Sequence, residues 1–256
     1  MKNSLIHRAA AAALRRAGHD TKPAAAKQVL NAGSRAARAV VLLLACALVP
    51  VAFGAPSAPE ILANARQQVA RQQAELSGQL RENDRIIPFR LTQTGPVIRY
   101  TFSDPPEALQ VRLGDSGAQL EEITDAGVDK VAGREFTQNV RGTAITYEDL
   151  ALRFIYWTNA RVVGDDYINT RRVWKLELQP NGRDSMYSRV FLWCEQQSGA
   201  LMRMEGFDWN GKLVKRFEVV SVQEIEGRLF LKQMRIEQIR PDTGKVQART
   251  YLDIKK

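Results

Sequence analysis

The sequence predicts an α+β protein: one helix, then a long run of antiparallel strands that form a barrel or a single large curved sheet. Three observations carry this expectation. Seven strand candidates follow one another at 158–163, 171–179, 186–195, 200–207, 213–223, 229–239 and 246–254. The segments between them are polar or bear glycine (Val-Gly-Asp-Asp, Pro-Asn-Gly-Arg, Gln-Gln-Ser-Gly, Trp-Asn-Gly-Lys, Glu-Gly-Arg, Pro-Asp-Thr-Gly), the chemistry of tight turns. Upstream, 87–113 alternates apolar and polar residues, while 59–81 repeats its apolar residues near a helical period.

Taken in chain order, the uncharged stretch 39–54 comes first. It contains Pro50, and Arg35 and Arg38 precede it. A spanning helix needs about 20 apolar residues, so a membrane anchor is not expected. Ala52 and Gly54 fit the small residues that a signal peptidase reads, so 1–54 is expected to be a signal peptide with an extended basic leader, cut after Gly54. A lipid attached at Cys46 is a rival reading; Leu44 is bulky for a lipobox, and the apolar run continues past the cysteine. The Ala- and Arg-rich leader also suits a transit peptide or a start placed too far upstream. Residues 55–256 are then expected to form one domain.

Ser57 is a candidate cap for a helix over 59–81, with Ile61, Leu62, Ala65, Val69, Leu76 and Leu80 near one face. Two short strands flank a Thr-Gly-Pro turn, and Ile98, Tyr100 and Phe102 alternate with Arg99 and Thr101. Leu109, Val111 and Leu113 repeat the plan before a Gly-Asp-Ser-Gly turn. "TYEDLALRFIY" has helical spacing, with Tyr147, Leu150, Ala151 and Phe154 on one side and Thr146 as cap to Asp149. Asp208, Asn210 and Gly211 read as a hairpin turn.

Composition removes several function classes. The leader holds eight of the basic residues and one acid, leaving 29 basic against 27 acidic in 55–256, so the basic balance of the whole chain gives no reason to expect nucleic-acid binding. Both histidines, His7 and His19, lie in the leader. Histidine-based nucleophilic catalysis and zinc binding are therefore not expected, and one remaining cysteine, Cys194, cannot replace them. No nucleotide-binding glycine motif occurs. Three adjacent acid pairs remain, Glu121/Glu122, Glu148/Asp149 and Asp165/Asp166. Adjacent residues of a strand point to opposite faces, so these are expected to be solvated rather than catalytic. No cofactor and no metal is expected.

Several strands are apolar on both faces, as in "YSRVFLWC" and "VWKLEL". A sheet with one wet face would alternate more cleanly. Both faces are thus expected to be covered, one by helices and the other by further core or by an apolar cavity. The quoted segments, in the order "PFRLTQTGPVIRYTFSDPP", "TYEDL", "WKLELQP", "SRVFLWCEQQSGALMRMEGFDWNGKLVKRFEV" and "ARTYLDI", resemble the LolA-like, outer-membrane lipoprotein-sorting family over nearly all of 57–256. The sharpest marks are Tyr147-Glu148-Asp149-Leu150, "YSRVFLW" with "RMEGFDWNGK", and Gly227.

That resemblance implies an antiparallel unclosed β-barrel, a half-barrel with helices covering its concave face. It implies a non-catalytic, monomeric periplasmic carrier that holds lipoprotein acyl chains or other lipids in an apolar cavity. An inner-membrane donor complex and an outer-membrane acceptor would be its partners. The cavity residues expected from alternation are Leu91, Ile98, Tyr100, Phe102, Leu109, Val111, Trp174, Leu176, Phe191, Trp193, Met202, Met204, Phe217, Met234 and Ile236. Arg99, Arg189 and Arg203 are candidates to hold a helical lid. The alternative on the same half-barrel is an envelope sensor; such regulators add a second domain, for which this length leaves no room. A hydrolase would need a polar cleft with converging carboxylates.

Overall fold

The computed structural model describes residues 54–225 and 227–255, so the expected signal segment lies outside the described residues. Helix α1 (Ala58–Ala70) leads into β1 (Gln73–Glu82), β2 (Arg85–Thr94), β3 (Val97–Ser103), β4 (Pro106–Leu113), β5 (Ala118–Thr124) and β6 (Gly127–Lys130). A crossover of short helical turns, among them α2 (Tyr147–Leu150), carries the chain to β7 (Asn159–Ile168). The chain returns through β8 (Arg171–Gln179), β9 (Arg189–Glu195), β10 (Leu201–Phe207), β11 (Leu213–Ile225), β12 (Arg228–Ile239) and β13 (Val246–Lys255).

All 13 strands form a single antiparallel sheet in the order β6-β5-β4-β3-β2-β1-β13-β12-β11-β10-β9-β8-β7. Sequence neighbours pair throughout, except that β6 and β7 stay apart as the two free edges while β13 pairs with β1, with Leu80 opposite Leu252. The sheet is therefore large and unclosed, with few helices. Its edges are blunted: β6 is four exposed residues long, and β7 breaks register between Val162 and Gly164.

The helix expected over 59–81 ends at Ala70, and its second half is strand β1. Leu76 and Leu80 suit either period, but Leu76, Gly78 and Leu80 also alternate with polar Ser77 and Gln79. Ladder partners on both sides, β2 and β13, outweigh a weak helical preference. Gly78 is needed there, because a Cβ would stand 2.4 Å from the Phe89 ring. The helix expected around 147–154 shrinks to the four residues of α2, since Leu152 adopts a left-handed φ of 51°. The capping box is present as expected, with Asp149 N donating to Thr146 Oγ1 at 3.3 Å and Thr146 N to Asp149 Oδ2 at 2.9 Å. The turn at Asp208–Gly211 also forms, with Gly211 at φ 74° and Asp208 Oδ1 accepting from Asn210 N and Lys212 N.

Alternation gives the sheet two unlike faces. The inner one carries Phe89, Phe102, Leu109, Leu176, Leu192, Met204, Phe217, Ile236 and Leu252. These share one buried cluster with Ile61 and Leu62 of α1 and with Val140, Ile145, Phe154 and Ile155 of the crossover. Each fully buried side chain of this kind contributes about 1.5–3 kcal/mol. The outer face carries ladders of paired charge, such as Arg203–Glu218–Arg235 and Glu205–Arg216–Glu237–Arg249.

Candidate functional site

Packing on the inner face leaves a cavity of about 400 Å³, within the range of small-molecule sites. Leu76, Leu91, Ile98, Tyr100, Leu192, Met204, Phe217, Ile236, Leu252 and Ile254 line it from the sheet. Ala65 and Val69 of α1 and Ile145, Leu150, Leu152 and Phe154 of the crossover complete the apolar wall. Polar lining is sparse: Gln68, Gln72, Gln93, Asp149, Arg171, Ser198 and Arg203. Gln93 is occupied, its Nε2 donating to Val69 O at 2.6 Å, which ties β2 to the end of α1. Burial pushes the Tyr100 phenol up to about 12.

The antiparallel meander places the turns at 95–96, 169–170 and 196–200, and Gly227, at one end of the sheet. Ala200, Val222 and Leu229 are exposed members of the lining and belong to that end. The cavity opens there.

The opposite end is shut by a buried polar cluster around α2. Asp149 Oδ1 accepts from Tyr187 Oη at 2.6 Å, and Asp149 Oδ2 lies 3.3 Å from Lys215 Nζ. Lys215 also donates to Ala144 O, and Ala144 N donates to Thr250 Oγ1 at 2.9 Å. Glu148 accepts from Ser185 Oγ at 2.5 Å and from Met186 N at 3.0 Å. Burial holds Glu148 above the usual carboxylate range and Tyr187 well above the usual phenol. The four ionisable side chains Glu148, Asp149, Tyr187 and Lys215 are all buried, so a network of satisfied partners is what makes them tolerable.

Of the residues expected in a cavity, Leu91, Ile98, Tyr100, Met202, Met204, Phe217, Met234 and Ile236 line it. Phe102 borders a small adjoining pocket. Leu109, Val111 and Leu176 face inward but are consumed by the core, and Trp174 packs partly buried against it. Phe191 and Trp193 are a correction. Leu192 faces the cavity, so its neighbours in β9 lie on the outer face, where Trp193 pairs in register with Lys175 and Arg203. There Lys175 Nζ stands 4.8 Å over the Trp193 ring, and Trp193 Nε1 donates to Asp166 Oδ2 at 3.1 Å. The aromatic residues took the charged face because cations cover their rings.

The candidate lid arginines are corrected too. Arg99 donates to Gln110 at 3.1 Å, Arg189 approaches Glu177 at 4.0 Å and Arg203 pairs with Glu218 at 2.9 Å; these partners all lie on strands. Other cations hold the helical segments. Arg66 donates to Ile155 O at 2.7 Å, Arg85 to Gly142 O at 2.9 Å, and Arg141 to Asp104 O and Pro105 O at 2.8 Å each. Lys215 was legible as a charge in the inward register of "LVKRFEV", since it shares parity with Phe217 and Val219. The crossover residues carried no such mark.

The acid pairs have structural partners. Glu121 takes Gln110 and Arg112, Asp165 takes Arg172, and Glu148 and Asp149 belong to the closed end. Cys194 is buried, and its thiol is pushed up to about 12 by burial, the opposite of what a nucleophile needs. Among the described residues, no group of three or more His, Cys, Asp or Glu could hold a metal, and no helix is long and apolar enough to cross a membrane.

The described residues form an unclosed antiparallel sheet around an apolar cavity, a fold shared with LolA-like structures. Residues 126–256 match the model of a family described as "Uncharacterized protein", and the chain belongs to that family. No curated protein matches the sequence. Among solved structures, a putative outer membrane lipoprotein-sorting protein domain from Vibrio parahaemolyticus is similar with a TM-score of 0.60 at 15% identity, over 76% of this chain and 89% of that one. A LolA superfamily protein from Nitrosomonas europaea follows at 0.56 and 16%, over 79% and 93%. A DUF1329 family protein from Desulfovibrio piger stands at 0.55 and 16%, over 78% and 90%. At these identities the likeness is one of fold.

Proposed function

We propose that this protein is a periplasmic, non-catalytic carrier that shelters lipid or lipoprotein acyl chains in its inner cavity on the way to the outer membrane. On this reading 1–54 is removed as a signal peptide, 55–256 works as one domain, and α1 and the crossover cover the concave face of the half-barrel. The observation that carries it is the apolar cavity of about 400 Å³, shut at the α2 end and open at the other. Burying a chain there offsets about 0.8 kcal/mol per CH₂ that water would cost. Release then requires an acceptor, and loading a donor. At the closed end Asp149 is committed to Tyr187 and Lys215.

The test is native mass spectrometry of the protein purified from the envelope of cells expressing the full chain, followed by lipid extraction. A bound lipid or acylated peptide is expected, lost in Leu231→Glu within the cavity and kept in Trp193→Ala on the outer face. A folded protein that carries nothing and takes up no fluorescent fatty acid would overturn the carrier and leave the inner face as ordinary core.

A further inference from the structure

The cavity lining is unevenly charged. Its one carboxylate, Asp149, sits at the closed end and is neutralised by Lys215. Its two cations are Arg171 and Arg203, and Arg203 is engaged by Glu218. Arg171 is different. It opens β8 next to the 196–200 turn, is half-buried, and makes no hydrogen bond or ion pair among the described residues. Glu195 lies within electrostatic reach: against the burial that would raise it, hydrogen bonds from Ser198 N at 2.6 Å and Ser198 Oγ at 2.5 Å to its Oε2, and to a lesser extent the Arg171 charge, hold its carboxyl below the usual range. The lining therefore includes a guanidinium that makes no hydrogen bond or ion pair among the described residues, together with the amides of Gln68 and Gln72 and the apolar side chains of Met202 and Leu231.

We propose that the ligand is an amphiphile with an oxyanion headgroup, a carboxylate or a phosphate, seated on Arg171 with its chain running down into the cavity. This rests on the carrier reading and narrows it. A guanidinium binds either oxyanion through two parallel N–H donors. Its place at a half-dry mouth keeps the attraction stronger than on an open surface. A neutral headgroup would leave the same cation unpaired while the chain covered it.

Titration calorimetry with palmitate, palmitoyl lysophosphatidic acid and 1-monopalmitoylglycerol tests this, since the three share one chain. The tighter of the two anions identifies the headgroup and is expected to bind about tenfold better than the glycerol ester. Arg171→Gln should erase that preference. Arg171→Lys should keep part of it, as a point charge without the fork. Equal binding of all three ligands, or a preference that survives Arg171→Gln, overturns the headgroup inference and leaves the carrier standing. Binding of none of the three overturns both.

Discussion

Lys215 and Asp149 form the most deeply buried ion pair of the described residues, at 3.3 Å and with side-chain exposures of 2% and 1%. Removing one partner of such a pair costs about 3–5 kcal/mol, because the other charge stays buried alone. Chemical denaturation of Lys215→Met is expected to show a loss of that size. The double variant Lys215→Met/Asp149→Asn should recover part of it; full additivity would mean that the pair is not coupled. Glu148, beside it, gives a pH signature. Its folded value is raised above the ordinary 4.5 by burial. The sign is that of a carboxyl favoured in its protonated form: its contribution to stability is complete below about pH 4.5 and is lost as pH rises through the raised value. The melting temperature of the wild type minus that of Glu148→Gln should therefore fall as pH rises above about 4.5. A flat or rising difference would contradict the burial argument. Gly206 is a third such residue, since a Cβ there would stand 2.5 Å from the Tyr187 ring. Gly206→Ala should cost about 1–3 kcal/mol by overpacking.

At the scale of elements, β11 and β12 outrun their neighbours. β10 pairs with β11 only as far as Glu218, and β13 pairs with β12 only from Gln233. Beyond those points Val222 pairs with Leu231, Gln223 with Phe230 and Glu224 with Leu229, so the hairpin is a two-stranded flap at the cavity mouth. Gln223 Nε2 donates to Ile254 O at 3.2 Å, and Ile225, Phe230 and Leu231 pack partly buried against the core. An isolated hairpin is marginal, so amides of 222–231 should exchange with deuterium much faster than those of 213–219. Bound lipid should slow them. Exchange as slow as in the sheet centre would show that the flap is rigid. This feature could not be read in the sequence, where 213–223 and 229–239 look like any other pair of strands. The same holds for Phe191 and Trp193. Their alternation with Val190, Leu192 and Cys194 was plain, but both sets are apolar and only the pairing of Leu192 across β8 and β10 says which one faces in.

For the whole molecule, the 13-stranded meander and the cavity are one construction. Joining β13 to β1 brings the strands next to α1 and those from the end of the chain to a common inner face, and the crossover from β6 to β7 supplies the remaining wall. Filling that space should separate ligand uptake from stability. Met234→Trp, which places a larger apolar group in the cavity, is expected to lower fatty-acid uptake about tenfold while changing stability by no more than about 1.5 kcal/mol. Uptake unchanged would place the ligand elsewhere.

The sequence by itself determined that this chain would form antiparallel strands with glycine and asparagine turns, because side-chain period and turn chemistry are local properties. It also determined that histidines are absent beyond the leader, and it marked Thr146 as a helix cap with Asp149 three residues on. Only the tertiary structure decided that 73–82 is a strand, since two flanking ladders outweighed a helical pattern that Leu76 and Leu80 fit equally well. Only it decided which apolar face is inner, because a strand apolar on both sides carries no signal for its own orientation and a one-residue shift inverts it. The pairing of Lys215 with Asp149, across a separation of 66 positions, and the open end at Arg171 belong to the same class. They arise from contacts between distant segments, and no local pattern encodes such contacts.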